Sequence, residues 1–172
     1  MFVFAAYLHA IGVATYLGGS IVMELVLGTA QKAIPPAQAQ VMGEKTGDRF
    51  LVLAWSALGL IGASGVLRLF TQKSESLLVG DNLFSSTYGR TLFTMELLWL
   101  ALVANGLVIT FVLRPRLKAK MGAAVSAAQV ETQRAQLISA ATWITRLTRV
   151  DLGIALVVAL LGASLKFGGI IG

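Results

Sequence analysis

Four stretches of the chain are apolar almost without interruption, and the polar residues gather between them. They read VFAAYLHAIGVATYLGGSIVMELVL, FLVLAWSALGLIGASGVLRLF, TLFTMELLWLALVANGLVITFVL and DLGIALVVALLGASLKFGG. About 20 apolar residues suffice to cross the ~30 Å hydrocarbon layer as a helix, so each stretch is long enough to span. The pattern predicts an all-α fold: an integral membrane four-helix bundle, antiparallel and up-and-down, in a single transmembrane domain of residues 1–172. The spans are expected at about 2–27, 50–71, 90–113 and 150–169.

The connections refine this picture. Pro35 and Pro36 cannot continue a helix and are expected to lie in a polar loop, residues 28–49, after the first span. A segment carrying the turn formers Gly80, Asp81, Asn82 and Gly89 joins the second span to the third. Between Ala123 and Asp151 there is no Gly or Pro, and Val130, Leu137 and Ile144 recur every seven residues. That predicts an amphipathic helix at about 124–149, running into the fourth span and projecting past the bilayer. Gly59, Gly62 and Gly65 recur at three-residue spacing in the second span and are expected to form a close-packing seam.

Composition agrees. The chain is 56% hydrophobic and 13% charged, with a mean hydropathy of +0.79, outside the usual soluble range. Its net charge of +6 and pI near 10.1 come from basic residues beside the spans, where they report topology and not nucleic-acid binding. Lys32, Lys45, Arg49, Arg114, Arg116, Lys118, Lys120, Arg134, Arg146 and Arg149 all fall in the first and third connections. The positive-inside rule therefore places loops 28–49 and 114–149 in the cytoplasm and both termini on the non-cytoplasmic side of an inner membrane. The first span has no basic segment before it and is longer than a cleavable signal core, so it is expected to be a retained helix. The absence of Cys excludes disulfides, thiolate metal sites, iron–sulfur clusters and c-type haem attachment.

Ionisable side chains at membrane depth are costly and mark the candidate chemistry. Each span supplies one to the outer third of the bundle: His9, Arg68, Glu96 and Lys166. A carboxylate, an imidazole and two cations suit an anionic head group, haem propionates, a proton relay or a quinone. The structural reading of the same residues is a Glu96–Arg68 salt bridge, a Lys166 that snorkels to the interface and a His9 bonded to a neighbouring carbonyl. A single histidine cannot ligate haem twice, but Met95 lies at the depth of His9, so His9 with Met95 on haem b, or His9, Met95 and Glu96 on copper, is conceivable. His9 is then the metal ligand. Glu24, Asp151, Arg49, Arg146 and Arg149 are expected to form interfacial ion pairs, and Tyr7, Tyr16, Trp55, Trp99 and Trp143 to pack or lie at interfaces.

The first-span pattern YLHAIGVATYLGGSIVMEL and the second-span ending GASGVLRL resemble the CopD-like membrane proteins, distantly related to the HemJ-type protoporphyrinogen oxidases. The resemblance covers about the first two thirds of the chain. It implies a four-helix core, an inner-membrane location and, in some members, handling of copper or haem, with His9 at the place of the first-span histidine. Where HemJ-type proteins carry a lysine in a later span, this chain has Glu96.

Three functions are compatible with these residues. The first is a non-catalytic subunit or accessory factor that binds lipid and other membrane subunits, or itself. The second is a haem-binding or copper-handling redox protein using His9, with Arg68 or Lys166 on propionates. The third is a proton-coupled carrier using Glu96. No Gly-rich phosphate loop, nucleophile–base pair or zinc-helix motif is present, and an enzymatic activity is not expected.

Overall fold

The computed structural model describes residues 2–71, 82–118 and 127–171. Within these the chain is all-helical, and four helices are long and apolar enough to cross a membrane: α1 (Val3–Lys32), α2 (Pro36–Phe70), α3 (Thr87–Leu117) and α4 (Ala128–Phe167). Large apolar side chains such as Phe4, Val52, Phe111 and Leu160 point outward, as they do where the surrounding solvent is lipid.

The first connection is much shorter than the expected polar loop. Helix α1 runs on to Lys32, and α2 already begins at Pro36. A proline is well placed at the first helical position, where its missing N–H would have had no partner and its fixed φ suits the helix. The two prolines therefore punctuate a tight helical hairpin. Of the turn formers in the second connection, Gly80 and Asp81 lie outside the described residues, Asn82 opens a single helical turn (Asn82–Ser85), and Gly89 is buried inside α3. Ser86 caps α3, its Oγ accepting from Gly89 N–H at 3.0 Å. The amphipathic stretch and the fourth span form one unbroken helix from Ala127 to Ser164.

Neighbouring helices run antiparallel, with α1 packed most closely on α2 and α3 on α4, and α1 also touching α4. The core is built from Tyr16, Ala57, Leu58, Leu102 and Ala155, one or two residues from each helix. Gly12 lets α1 approach α2: a Cβ there would stand 2.9 Å from Ile61. The glycines of α2 do not share one seam. A Cβ on Gly62 would meet Trp99 of α3 at 2.7 Å, one on Gly65 would face His9 of α1, and one on Gly59 would meet nothing. At about 100° per residue, steps of three drift by ~60° each, so the three positions fan across the helix and serve different neighbours.

Helices α2 and α3 meet through indole rings. Trp99 Nε1 donates to Leu58 O at 3.3 Å, and Trp55 Nε1 donates to Thr110 Oγ1 at 3.1 Å. One end of the bundle carries a layer of charge. Arg149 pairs with Glu24 and Arg114 with Asp48, each at 2.6 Å, and the Arg146 guanidinium sits 5.6 Å from the centre of the Trp143 ring. Charged groups and an exposed tryptophan together mark a bilayer boundary. From Glu24 back to Val3 the helix rises ~32 Å, one hydrocarbon thickness. The α1–α2 hairpin and the first half of α4 extend beyond this layer. At the same level both odd-numbered helices widen into π turns, Val22–Leu27 and Val108–Leu113, where Gly28 N–H reaches back to Met23 O and Arg114 N–H to Ile109 O.

Candidate functional site

His9 is held by α2. Its Nδ1 lies 3.2 Å from Ile61 O and 3.1 Å from Ser64 Oγ. A carbonyl can only accept, so Nδ1 carries the proton, and the Ser64 hydroxyl is free to accept because its own hydrogen goes to Leu60 O at 2.5 Å. Nε2 of the neutral ring is then the unprotonated nitrogen. Among the described residues it has no hydrogen-bond partner. An imidazole whose Nδ1–H is anchored to a backbone carbonyl is oriented as metal-binding histidines are; it is equally the carbonyl-bonded side chain of the structural reading.

The other nominated residues are arranged around His9 at unequal distances. Arg68 lies one turn beyond Ser64 on α2, close enough for its charge to act on the imidazole. Glu96 lies one turn from Trp99, whose ring covers Gly62, so it shares the level of His9. It is half-buried and makes no hydrogen bond or ion pair with a described residue, the Arg68 guanidinium included. Met95 turns the other way: its methyl group would stand 3.3 Å from a Cβ on Gly162, which puts it in the α3–α4 seam. Lys166 is exposed in the terminal 3-10 turn, Leu165–Phe167. The structure thus brings His9 and Arg68 together, places Glu96 level with them, and leaves Met95 and Lys166 apart.

Two further polar groupings were not evident from the chain. Asp151 is buried, 7% exposed, and its Oδ1 accepts from Asn105 Nδ2 at 2.7 Å, the same amide lying 3.4 Å from Leu147 O. Tyr16 is near enough to feel the Asp151 charge. Among the described residues the expected interfacial ion pair of Asp151 does not form: Arg149 turns instead to Glu24, and an asparagine on α3 takes the aspartate. The second grouping closes the opposite end. Thr91, fully buried, donates to Thr87 O at 2.8 Å and accepts from the N–H groups of Ile170 and Ile171, both at 3.2 Å, while Arg90 Nε donates to Ile171 O at 3.1 Å. Gly168 and Gly169, with φ of 93° and 89°, make the turn that returns the segment to α3.

The family model of copper resistance protein D, CopD, matches residues 44–165. That is well over half of the chain and takes in α2 from Glu44 onward, all of α3 and nearly all of α4. The chain belongs to the CopD family. The match begins after α1, so the first-helix motif that carries the resemblance lies outside it, as does His9. Arg68, Met95 and Glu96 fall within it, and Lys166 stands just beyond. No curated protein and no solved structure matches this CopD-family chain.

The family name raises copper, and the donor set can be tested against it. Among the described residues there is no group of three His, Cys, Asp or Glu side chains able to hold a metal ion. With Met95 turned into the α3–α4 seam, a His–Met–Glu copper cage does not fit this arrangement. A single axial imidazole does fit, since His9 presents one oriented nitrogen with Arg68 beside it.

Proposed function

We propose that this CopD-family membrane protein is a non-catalytic subunit or accessory factor of a larger inner-membrane assembly, with its basic end in the cytoplasm. The observation that carries this reading is the projecting half of α4. From Ala128 to Thr142 the helix is exposed on most of its circumference, with Gln133, Leu137 and Ala140 turned inward and Ile138 outward. Such a rod, rigidly continuous with a membrane span, is suited to reach a partner subunit. Purification in mild detergent tests it: the intact chain should elute with a stoichiometric partner, and Ile138→Asp should release that partner without loss of the monomeric fold. A wild-type chain that elutes alone and monodisperse counts against the proposal.

A second reading is favoured by the anchored imidazole. In it His9 would hold the iron of a haem b, and Arg68 would balance the charge of a propionate. Bound haem would supply electron-transfer or oxygen chemistry, while the chain's own contribution is to fix the ring through Ile61 and Ser64 and to balance anionic charge with Arg68. The optical spectrum of protein expressed with ample haem tests it. A Soret band that is lost in His9→Ala and shifted in Ser64→Ala is expected. The absence of the band, or its indifference to His9→Ala, rules this reading out.

A further inference from the structure

On the outer side of the α1–α2 hairpin, at the charged layer, a groove of about 660 Å³ opens toward the surroundings. Its membrane-side part is apolar: Gly19 of α1 faces Phe50 and Leu53 of α2, and Gly18 beside it leaves open space. Its other end carries Lys45 and Arg49, one helical turn apart on α2 and both exposed. The acids nearby are engaged elsewhere: Glu24 with Arg149, Asp48 with Arg114, and Glu44 with the Gln40 amide. Neither Lys45 nor Arg49 forms an ion pair with a described residue.

We propose that this groove is a binding site for an anionic phospholipid, with the phosphate head group between Lys45 and Arg49 and an acyl chain along the glycine-lined floor. Two features join in that ligand. A pair of cations at bilayer-boundary level, neither ion-paired with a described residue, recognises a phosphodiester. An apolar channel running from them into the hydrocarbon region accepts the attached chain, which a free phosphate lacks. The lipid fills space that no side chain of the hairpin occupies: a Cβ on Gly18 would meet nothing within 4 Å. This inference is independent of any haem, because the groove lies at the opposite end of α1 from His9.

Native mass spectrometry of the detergent-purified chain, titrated with palmitoyl-oleoyl phosphatidylglycerol or phosphatidylcholine, tests it. Phosphatidylglycerol adducts should persist with a preference of about 25-fold, since each of the two basic residues contributes about fivefold. Lys45→Gln and Arg49→Gln should each lower that preference about fivefold while leaving phosphatidylcholine binding unchanged. Gly18→Leu, which puts a side chain into the groove without touching the helix packing, should reduce adducts of both lipids. Should a variant not fold, the thermal shift of the wild-type chain decides: stabilisation by phosphatidylglycerol above that by phosphatidylcholine supports the site, and equal stabilisation overturns it. Equal retention of the two lipids, a preference that survives both glutamine variants, or displacement by inorganic phosphate at the lipid's own concentration would each overturn it as well.

Discussion

The return of Gly168–Ile171 onto α3 makes a quantitative prediction for Gly169→Ala. An alanine at φ near +90° carries ~1–2 kcal/mol of backbone strain. Its Cβ would also stand 2.5 Å from Thr91 Oγ1 and 2.9 Å from Thr87 O. Thr91 cannot yield, being fully buried and tied to Thr87 O. The cheaper response is for the segment to lift away, giving up the two amide bonds to Thr91 and the Arg90 bond to Ile171. At about 1 kcal/mol for each, the loss is ~3 kcal/mol. Amide exchange at Ile170 and Ile171 should therefore quicken about 100-fold, as measured by hydrogen–deuterium exchange and mass spectrometry in detergent. Gly168→Ala is the control. Its φ is as positive, but its Cβ meets nothing within 4 Å, so strain alone acts and exchange should quicken by only about 5- to 30-fold. Wild-type protection in Gly169→Ala, or equal losses in the two variants, would show that close approach to Thr91 is not what fixes this turn.

Asn105→Leu removes the amide donor from Asp151 and should cost ~1–3 kcal/mol, read as a lower melting temperature in detergent; Asp151→Leu in the same background should recover part of it, and additive losses would refute the pairing. Gly62→Ala should destabilise the α2–α3 contact by ~1–3 kcal/mol because the Trp99 ring must move, whereas Gly59→Ala, facing open space, should be neutral or slightly stabilising. Equal effects at the two positions would disprove the fan of glycines. Since the chain has no cysteine, Ala39→Cys and Ala135→Cys can be labelled without background. A membrane-impermeant maleimide should miss both in intact cells and reach Ser85→Cys, and the reverse pattern would invert the topology.

The spans were legible because lipid imposes one simple requirement, about 20 apolar residues per crossing, and each helix meets it alone. What the chain did not announce was which side chains meet across helices. Asp151 looks like an interfacial acid until α3 brings Asn105 against it, and Glu96 looks like a partner for Arg68 until the rotations of α2 and α3 are known. Hydropathy is blind to rotation about the helix axis, and at membrane depth polar contacts depend on rotation more than on depth. The turn at Gly168 and Gly169 had a local signature, paired glycines after a helix, but its purpose lies some eighty residues away at Thr91. Likewise Pro35 and Pro36 marked a break correctly, while the length of the loop around them depended on α1 and α2 continuing beyond the bilayer.

The π turns at Val22–Leu27 and Val108–Leu113 can be viewed as single-residue insertions, each advancing the helical phase of the residues beyond it by about 100°. Glu24 lies within the first and Arg114 directly after the second, so the Glu24–Arg149 and Asp48–Arg114 pairs depend on that extra residue. Removing one residue from 108–113 would leave α3 just as apolar and more regular, yet would swing Arg114 away from Asp48. The docking of one hairpin on the other at this end is thus encoded in chain length rather than composition, and two sequences of identical hydropathy profile would assemble it differently.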